Sequence, residues 1–373
     1  MTQRSTLVTG GCGFIGSHLV DALLAAGHRV RVLDSIDPQA HEDGVARFRN
    51  PDADLIEGDL RDRDTVRAAL AGVDTVFHQA AMVGNGQSMY AIERYIDVNA
   101  VGTAVLMEEV VARRDSVRRV VAASSMVVYG EGAYRCDEHG AVKPLPRAEE
   151  DLAARRWEPR CPTCSADVAP VPTGEDHALG ATSPYAIGKL ASETIVLVTG
   201  RSFGLETVAL RYLNVYGRRQ ALSNPYTGVA AIFATQLRSG GRPTVYEDGG
   251  QMRDLVHVSD VARANLLAME SPAADGAAVN IGTGETLTIA GLARTLAREI
   301  GVDTEPDITH KYRAGDVRHC FASTGLAERL LGFRATTDRA AALRDLAEWV
   351  VDEQPVDRTA VANAELAALG LIR

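Results

Sequence analysis

The 373-residue sequence contains no apolar run of transmembrane length, and its acidic residues outnumber its cationic ones. Lysine and arginine number 39 against 49 aspartates and glutamates, for a formal net charge of -10. This balance excludes an extended basic surface for nucleic acid or for a membrane, so an anionic substrate would have to be held by a few local arginines. The first four residues lead directly into a strand pattern, and we therefore expect no signal peptide.

Cysteine is also scarce, with five residues in 373. So few cysteines in a chain of this length do not form the disulfide framework of a secreted scaffold, and we expect a protein of the reducing cytoplasm. The hydrophobic share of 46% is ordinary for a globular protein, and the length allows one large domain or two smaller ones.

A glycine-rich turn follows the first apolar strand and opens a helical pattern. Gly10 allows a tight turn, Gly13 lets the backbone approach a diphosphate, and Gly16 lets the helix pack closely on the strand. Backbone N–H groups at the helix start would then face the anion. A plain structural turn is the alternative, but the strand–turn–helix context favours a dinucleotide. The contacts predicted for this turn are Gly10, Gly13, Phe14, Ile15 and Gly16.

Asp34 ends the next apolar run, about 20 residues beyond the turn, where a carboxylate can accept both hydroxyls of an adenosine ribose. A 2'-phosphate at about 4 Å would be repelled by roughly 4 kcal/mol at an effective dielectric of about 20. The sequence therefore favours NAD over NADP, with a simple loop cap as the alternative role of Asp34. Strand order places Asp59 and Leu60 near the adenine, and Ala80 is a further predicted cofactor contact.

Apolar strands alternate with amphipathic helices through residue 125, and the pattern resumes at Ser183. This alternation predicts an α/β protein with a doubly wound parallel sheet of the Rossmann type. We expect an NAD-binding domain over residues 1–212, with an insert at about 131–180. A smaller C-terminal substrate-binding domain should cover 213–373, and its segment 250–272 should return to the Rossmann sheet.

Three side chains are candidates for catalysis. Ser125 lies at the carboxyl end of an apolar strand, where ligands of open parallel sheets bind. Tyr185 and Lys189 are four residues apart, so both project from one face of a helix that begins after Ser183. Such a pair is usually solvated, but its position between a strand-end serine and another buried strand favours an active site.

These motifs resemble the extended short-chain dehydrogenase/reductases, and more narrowly the nucleotide-sugar epimerases of the UDP-galactose 4-epimerase type. Besides the TGxxGxxG turn, the resemblance rests on five motifs. They are SSMVVYG at 124–130, YxxxK at 185–189, RYxNxYG at 211–217, EDGGQMRDLVHV at 247–258 and YRAGDVR at 312–318.

The resemblance implies that Tyr185 removes the proton of a sugar hydroxyl while a hydride passes to NAD. Ser125 would relay the proton, and Lys189 would hold the nicotinamide ribose. A free tyrosine has a pKa of about 10, and lowering it by three units requires about 4 kcal/mol, which Lys189 and the cationic nicotinamide could supply. If the 4-keto sugar rotates before the hydride returns, the result is C4 epimerisation without net consumption of NAD.

The same resemblance assigns the substrate contacts and the assembly. Asn214 is expected at the sugar or first phosphate, and Arg253 and Arg313 at the pyrophosphate, for which bidentate guanidinium contacts are well suited. Taken alone, either arginine would be interpreted as a surface ion pair. A homodimer built from the helices that begin near Asp97 and Ser183 is also implied.

Two positions discriminate between reactions of this family. Its 4,6-dehydratases carry an acidic pair after the catalytic hydroxyl residue, and its uronate decarboxylases also place a glutamate there. This sequence has Met126 and Val127, which carry no proton. Dehydration and decarboxylation are therefore disfavoured.

The insert carries two closely spaced ligand pairs, Cys136-x-x-His139 and Cys161-x-x-Cys164. Together they supply the four ligands of a closed tetrahedral zinc site, which would order a long polar segment. A redox Cys-x-x-Cys pair and cysteines present by chance are the alternatives. The insert resembles that of bacterial dTDP-L-rhamnose 4-epimerases.

The favoured function is therefore C4 epimerisation of a nucleotide-linked hexose, with dTDP-L-rhamnose and dTDP-6-deoxy-L-talose as the best substrate hypothesis. Alternatives are a UDP-hexose or UDP-uronate 4-epimerase, a 4-keto-sugar reductase, and a non-enzymatic protein that senses NAD or zinc. Asp34 disfavours an NADPH-fed reductase, and the intact set of Ser125, Tyr185 and Lys189 argues against a protein without chemistry.

Overall fold

A computed structural model describes residues 3–353 and 355–373. Its strands are β1 (Ser5–Thr9), β2 (Arg29–Asp34), β3 (Asp54–Glu57), β4 (Thr75–His78), β5 (Arg119–Ser125), β6 (Ala133–Cys136), β7 (Gly140–Val142), β8 (Ala169–Val171), β9 (Glu206–Tyr212), β10 (Asn214–Tyr216), β11 (Thr244–Val245), β12 (Met252–Arg253), β13 (Leu255–His257), β14 (Ala278–Ile281), β15 (Leu287–Thr288), β16 (Asp307–Ile308) and β17 (His319–Cys320).

The α-helices are α1 (Phe14–Ala25), α2 (Arg63–Ala69), α3 (Asn85–Ser88), α4 (Ile92–Ile96), α5 (Gly102–Val111), α6 (Glu149–Ala153), α7 (Pro184–Phe203), α8 (Val229–Arg238), α9 (Val258–Glu270), α10 (Ile289–Ile300), α11 (Gly325–Leu331), α12 (Arg339–Glu353) and α13 (Thr359–Ala368). Short 3-10 helices cover Glu42–Gly44, Met126–Tyr129 and Pro272–Ala274, and a π-helical segment covers Asp97–Val101. None of the described helices is both long and apolar enough to cross a membrane.

The centre of the fold is a seven-stranded parallel sheet with strand order β14-β9-β5-β4-β1-β2-β3. Helices α1, α9 and α11 cover one face, and α2, α5 and α7 cover the other. Both faces of each central strand are therefore buried, which explains why β1 carries adjacent apolar residues, Leu7 and Val8, rather than an alternating pattern. The predicted doubly wound α/β fold is confirmed. The order reverses between β1 and β4, where ligands of such sheets bind.

Helix α7 carries two of the predicted catalytic residues, and its ends are well defined. The Ser183 hydroxyl accepts the Ala186 N–H at 3.2 Å, and Pro184 occupies the first turn. Gly204 ends the helix with a φ of 70°, in the left-handed region that favours glycine. These caps fix the helix in register against β5 and β9, on which it packs.

The insert forms a small antiparallel sheet of order β7-β6-β8. A cysteine-bearing hairpin, closed by a bridge between Arg160 and Asp167, lies in the sequence just before β8. The insert's own apolar core is limited to a few residues: Tyr134, Cys136, Cys161 and Val168, with Val142 packed beside them. So small a core supports the sequence argument that this segment needs another source of order.

The C-terminal half has a second core, in which α8, α10 and α12 pack together. The chain returns to the large sheet in two steps. Helix α9 packs against α1, and strand β14 then pairs with β9 at the sheet edge, so that Ala278 lies opposite Ala209. Within the predicted segment 250–272, α9 packs against α1 beside the large sheet, and the strand that joins the sheet, β14, follows later in the chain.

Candidate active site

The glycine turn has the shape that a dinucleotide requires, and the backbone angle or the neighbouring atoms differ at each of its three glycines. Gly10 has a φ of 69°, and a Cβ on it would lie 2.8 Å from the backbone of Ala80. A Cβ on Gly16 would lie 2.0 Å from the carbonyl oxygen of Gly10, which leaves no room for a side chain. A Cβ on Gly13 would meet the same oxygen at an ordinary 3.4 Å, so Gly13 lines an open surface at the start of α1.

Asp34 lies at the carboxyl end of β2, where it is buried and ionised. Its carboxylate accepts the N–H groups of Cys12 at 2.9 Å and Ile36 at 3.0 Å, and His41 Nε2 lies 3.4 Å away. Burial alone would raise the pKa of Asp34, but the hydrogen bonds with His41, Ile36 and Cys12 outweigh it and hold the pKa below its usual range. The carboxylate therefore ties the glycine turn to β2 while it lies at the predicted ribose position.

The predicted adenine contacts follow β3. Asp59 is partly exposed and accepts Arg61 Nε at 2.9 Å, and this hydrogen bond holds the pKa of Asp59 below its usual range. Leu60 is buried, and Gly102 on α5 lies against it, since a Cβ there would meet Leu60 Cδ2 at 3.3 Å. Ala80 lies beside Gly10 after β4, and its N–H donates to the hydroxyl of Thr9 at 3.2 Å.

The three candidate catalytic side chains meet at the carboxyl end of β5. Tyr185 is buried against Tyr95, with ring centroids 6.2 Å apart, and the Ser125 side chain lies near enough to its phenol to lower the pKa of Tyr185. The Lys189 ammonium donates to the carbonyl oxygen of Ala123 at 2.9 Å, one strand position from Ser124. Ser125, Tyr185 and Lys189 are thus brought together as the spacing predicts.

We expect Lys189 and the cationic nicotinamide of NAD together to lower the pKa of Tyr185, and the groups of the protein alone do not lower it. Burial raises the pKa of Tyr185 to about 12, and the Ser125 side chain offsets only part of this shift. Burial also lowers the pKa of Lys189 to about 8. The reason is that both groups lie in a low-dielectric site and the ammonium is turned to a backbone carbonyl. The protein alone therefore does not prepare a phenolate.

The predicted substrate residues lie on the neighbouring elements β10, β12 and the segment before β17. Asn214 Oδ1 is buried and has no hydrogen-bond partner among residues 3–353 and 355–373, which suits an atom that receives a ligand. Arg253 donates to the carbonyl oxygens of Met252 and Arg318, both at 2.9 Å. Arg313 lies over the ring of Tyr246 at 4.7 Å and donates to Asp316 at 2.8 Å.

The four predicted metal ligands also come together. The Cys136 sulfur lies 3.7 Å from the Cys164 sulfur and 3.6 Å from His139 Nδ1, and the Cys161 sulfur lies 3.6 Å from the same nitrogen. All four ligand atoms lie within 4.8 Å of one another. A tetrahedral zinc ion would separate two sulfurs by about 3.8 Å and a sulfur from a nitrogen by about 3.6 Å. The geometry suits zinc, whereas a disulfide needs sulfurs about 2.05 Å apart.

Comparison with known proteins decides the family. Residues 6–159 and 161–282 match the NAD dependent epimerase/dehydratase family. The chain belongs to this family. It is 32% identical to dTDP-L-rhamnose 4-epimerase of Burkholderia thailandensis, over 94% of this chain and 96% of that one.

Two solved epimerase structures resemble this member of the family over nearly their whole length. UDP-glucose 4-epimerase of Thermotoga maritima, solved with UDP-glucose, is 30% identical with a TM-score of 0.76, and 92% of this chain and 98% of that chain are covered. UDP-glucose 4-epimerase of Thermus thermophilus, solved with NAD, is 31% identical with a TM-score of 0.72, and coverage is 93% and 98%. The resemblance drawn from the motifs and the expectation of an enzyme of the isomerase class are confirmed.

A buried ion pair between Glu193 and Arg211, which was not predicted from the sequence, joins three elements of this epimerase-family site. Glu193 on α7 accepts the Ser124 hydroxyl at 2.6 Å and two N–H groups of Arg211, at 2.7 and 3.0 Å. The pair ties α7 to the ends of β5 and β9. A signal was present, because Glu193 follows Lys189 by four residues and Tyr185 by eight, on the same buried helix face.

Proposed function

We propose that the protein catalyses C4 epimerisation of a nucleotide-linked hexose through a transient 4-keto sugar, with NAD as its bound cofactor. The observation that carries this proposal is the set of Ser125 and the buried Tyr185 and Lys189, which lies at the carboxyl end of the sheet in a chain whose relatives are named 4-epimerases. The glycine turn and the ionised Asp34 fit the diphosphate and the adenosine ribose of NAD.

The residues of the chain perform the proton transfers. The glycine turn and Asp34 would hold NAD, which would supply the hydride chemistry at C4 and a positive charge near the phenol. Tyr185 accepts the proton of the C4 hydroxyl, and Ser125, whose side chain lies near the phenol, relays it. Lys189 holds the nicotinamide ribose. The unpartnered Asn214 Oδ1 accepts a hydrogen bond from the sugar, and the 4-keto sugar turns before both hydrogens return.

The best substrate hypothesis is dTDP-L-rhamnose and its C4 epimer dTDP-6-deoxy-L-talose. It is supported by the relative from Burkholderia thailandensis, which matches 94% of this chain. Relatives named UDP-glucose 4-epimerase make a UDP-hexose the second candidate. Dehydration is disfavoured because apolar Val127 packs in the cluster around Tyr185, where a dehydratase needs an acid.

A direct test incubates the purified protein with dTDP- and UDP-sugars without added cofactor. We expect bound NAD in the protein and an equilibrium between C4 epimers of one sugar, measured by NMR. A 4-keto sugar that needs added NADPH to react would instead favour the reductase. NADP or no nucleotide after gentle purification would contradict the assignment of Asp34, and an inert panel would contradict the reaction.

We propose that the NAD-binding domain covers 1–212 and the substrate-binding domain 213–373. We also propose a homodimer formed by α7 and by the π-helical segment Asp97–Val101 together with α5, which follows it directly. Exposed apolar side chains on these elements support the interface: Val101 is 46% exposed, Ile187 50% and Val198 51%. Sedimentation equilibrium should therefore give twice the chain mass, and Val198→Glu should give the chain mass. A monomeric wild type at working concentration would refute this assembly.

We further propose that Cys136, His139, Cys161 and Cys164 bind one structural zinc ion. Four protein ligands leave no open position for chemistry, and the thiolates must stay reduced, which agrees with the proposed cytoplasmic location. Elemental analysis should find close to one zinc per chain when zinc is supplied. Cys161→Ser should lose the metal and unfold at lower denaturant, whereas Cys320→Ala, a buried thiol outside the cluster, should keep it. A wild type without zinc would refute the site.

A further inference from the structure

We infer that the zinc site holds the predicted substrate residue Arg253 in place through Glu158 and His319, so that the metal controls binding of the nucleotide sugar. This inference rests on the function and the site assignments proposed above. It makes Glu158 and His319 positioning residues, since neither is assigned to contact the substrate.

The first link runs from the cysteine hairpin to the segment before β17. Glu158 lies three residues before Cys161 in the sequence. One of its carboxylate oxygens accepts Nε and Nη2 of Arg318, at 3.0 and 2.6 Å, and the other lies 2.9 Å from His319 Nε2. A single side chain just before the hairpin thus holds two successive residues of the substrate-binding half.

The second link runs through the imidazole of His319, which is buried. The backbone N–H of Met252 donates to His319 Nδ1 at 3.0 Å, so Nδ1 carries no hydrogen and Nε2 is the donor toward Glu158. The ring therefore connects Glu158 directly to β12. Met252 is the residue before Arg253, and β12 pairs in parallel with β17.

The third link fixes the guanidinium of Arg253. Its Nη1 donates to the Arg318 carbonyl oxygen at 2.9 Å, and its Nη2 to that of Val317 at 2.5 Å. The orientation of this side chain therefore depends on the backbone at 317–318. Because Glu158 holds Arg318 and His319, movement of the hairpin would be transmitted to the position of Arg253.

The opposite arm of the insert is attached to the same segment. Glu131 accepts the Arg318 N–H at 2.8 Å, and the Gly132 N–H donates to the His319 carbonyl at 3.0 Å. This arm continues into β6, which ends at Cys136, whereas the other arm carries Cys161. Zinc coordinated by both arms would hold the two arms together where they contact residues 318–319. Loss of the metal would leave Glu158 beside a hairpin with little apolar core of its own.

The buried ion pairs of Arg318 indicate that loss of the Glu158 charge would loosen the segment around residue 318. Its side chain is only 2% exposed, and it pairs with Glu158, Glu247 and Asp248. Glutamine at position 158 would keep the shape of the side chain but remove its charge. If its oxygen still faces Arg318, its N–H group would face the N–H of His319 Nε2, and that buried N–H would lose its acceptor. A buried donor without a partner is costly, so the segment 317–320 should loosen.

The test compares Glu158→Gln with Glu150→Gln, since Glu150 is exposed on α6 of the same insert and forms no ion pair within the described residues. Glu158→Gln should retain zinc and NAD, raise KM for the nucleotide sugar about tenfold and change kcat less than about twofold. Binding of dTDP or UDP, measured by calorimetry, should weaken by the same factor. Glu150→Gln should behave as wild type in all five measurements.

Amide hydrogen exchange gives a readout that needs no substrate. Peptides covering 312–322 should exchange at least tenfold faster in Glu158→Gln, and in wild type after zinc is removed by a chelator. Unchanged exchange in both cases would overturn the inference even if the reaction itself were assigned wrongly. Conversely, faster exchange together with an inert substrate panel would refute only the proposed function.

A double-mutant cycle decides whether zinc acts through Glu158. If it does, Cys161→Ser combined with Glu158→Gln should raise KM no further than the more severe single variant. Strictly multiplicative effects on KM would overturn the coupling. If Cys161→Ser fails to fold, chelation of the folded wild-type and Glu158→Gln proteins replaces it in the cycle, and the same two outcomes apply.

Discussion

Replacement of Tyr185 by phenylalanine should reduce epimerisation by about three orders of magnitude or more while the protein keeps its NAD. The variant removes only the phenolic oxygen, which we propose as the base. The ring itself packs edge-to-face on Tyr95, at 6.2 Å between centroids, and that contact persists in phenylalanine. The fold and the cofactor site should therefore be unaffected. The measurement is the rate of epimer formation by NMR, with bound nucleotide quantified after extraction.

Tyr90→Phe is the matched control for this experiment. Its hydroxyl lies 3.0 Å from that of Tyr226, and the residue is 40% exposed, so the variant removes a phenolic oxygen that has no role in the proposed reaction. It should retain full activity. Residual activity of Tyr185→Phe within about tenfold of wild type would show that another group is the base.

Features of the site that depend on contiguous sequence could be predicted from it. The glycine turn is a local motif between a strand and a helix, and Tyr185 and Lys189 share a helix face because of the 3.6-residue repeat. The ends of parallel strands meet at one sheet edge, so Ser125 could be placed beside them. The two ligand pairs are distant from each other within the insert, but their combined ligand set was sufficient to predict that they meet.

Features that depend on distant pairing could not be predicted. Glu158 and Arg318 are 160 residues apart, and neither lies in a recognisable motif with the other. The motif around Arg253 suggested a pyrophosphate contact but contained no information about Val317 and Arg318, whose carbonyl oxygens its guanidinium meets. Tertiary packing sets these contacts, as it also places β14 at the edge of the large sheet.

The pKa of Tyr185 in the protein without NAD could not be predicted, for a different reason. The sequence shows the charge of Lys189 but not the burial of both groups. In the folded chain burial dominates, so the pKa of Tyr185 rises to about 12 and that of Lys189 falls to about 8. A helical spacing therefore identifies which groups meet, whereas the pKa of each group also depends on how much solvent reaches it.

The two glycines of the turn should respond differently to the same substitution. In Gly16→Ala the new Cβ would lie 2.0 Å from the Gly10 carbonyl oxygen and 2.8 Å from Gly11 Cα, both backbone atoms that cannot move aside freely. Overpacking of this kind costs about 1–3 kcal/mol or more. We expect Gly16→Ala to unfold at lower denaturant and to be purified without NAD.

Gly13→Ala should instead leave the fold intact and lose the cofactor. Gly13 has φ −75° and ψ −179°, an extended conformation that alanine adopts readily, and its new Cβ would make only an ordinary 3.4 Å contact with Gly10. The methyl group would occupy the open surface that the diphosphate must approach. Unfolding midpoints of the nucleotide-free proteins should therefore separate the variants, with Gly13→Ala close to wild type and Gly16→Ala well below it. NAD affinity of Gly13→Ala should fall at least about tenfold, and stoichiometric NAD in that variant would contradict the proposed approach of the diphosphate to the turn.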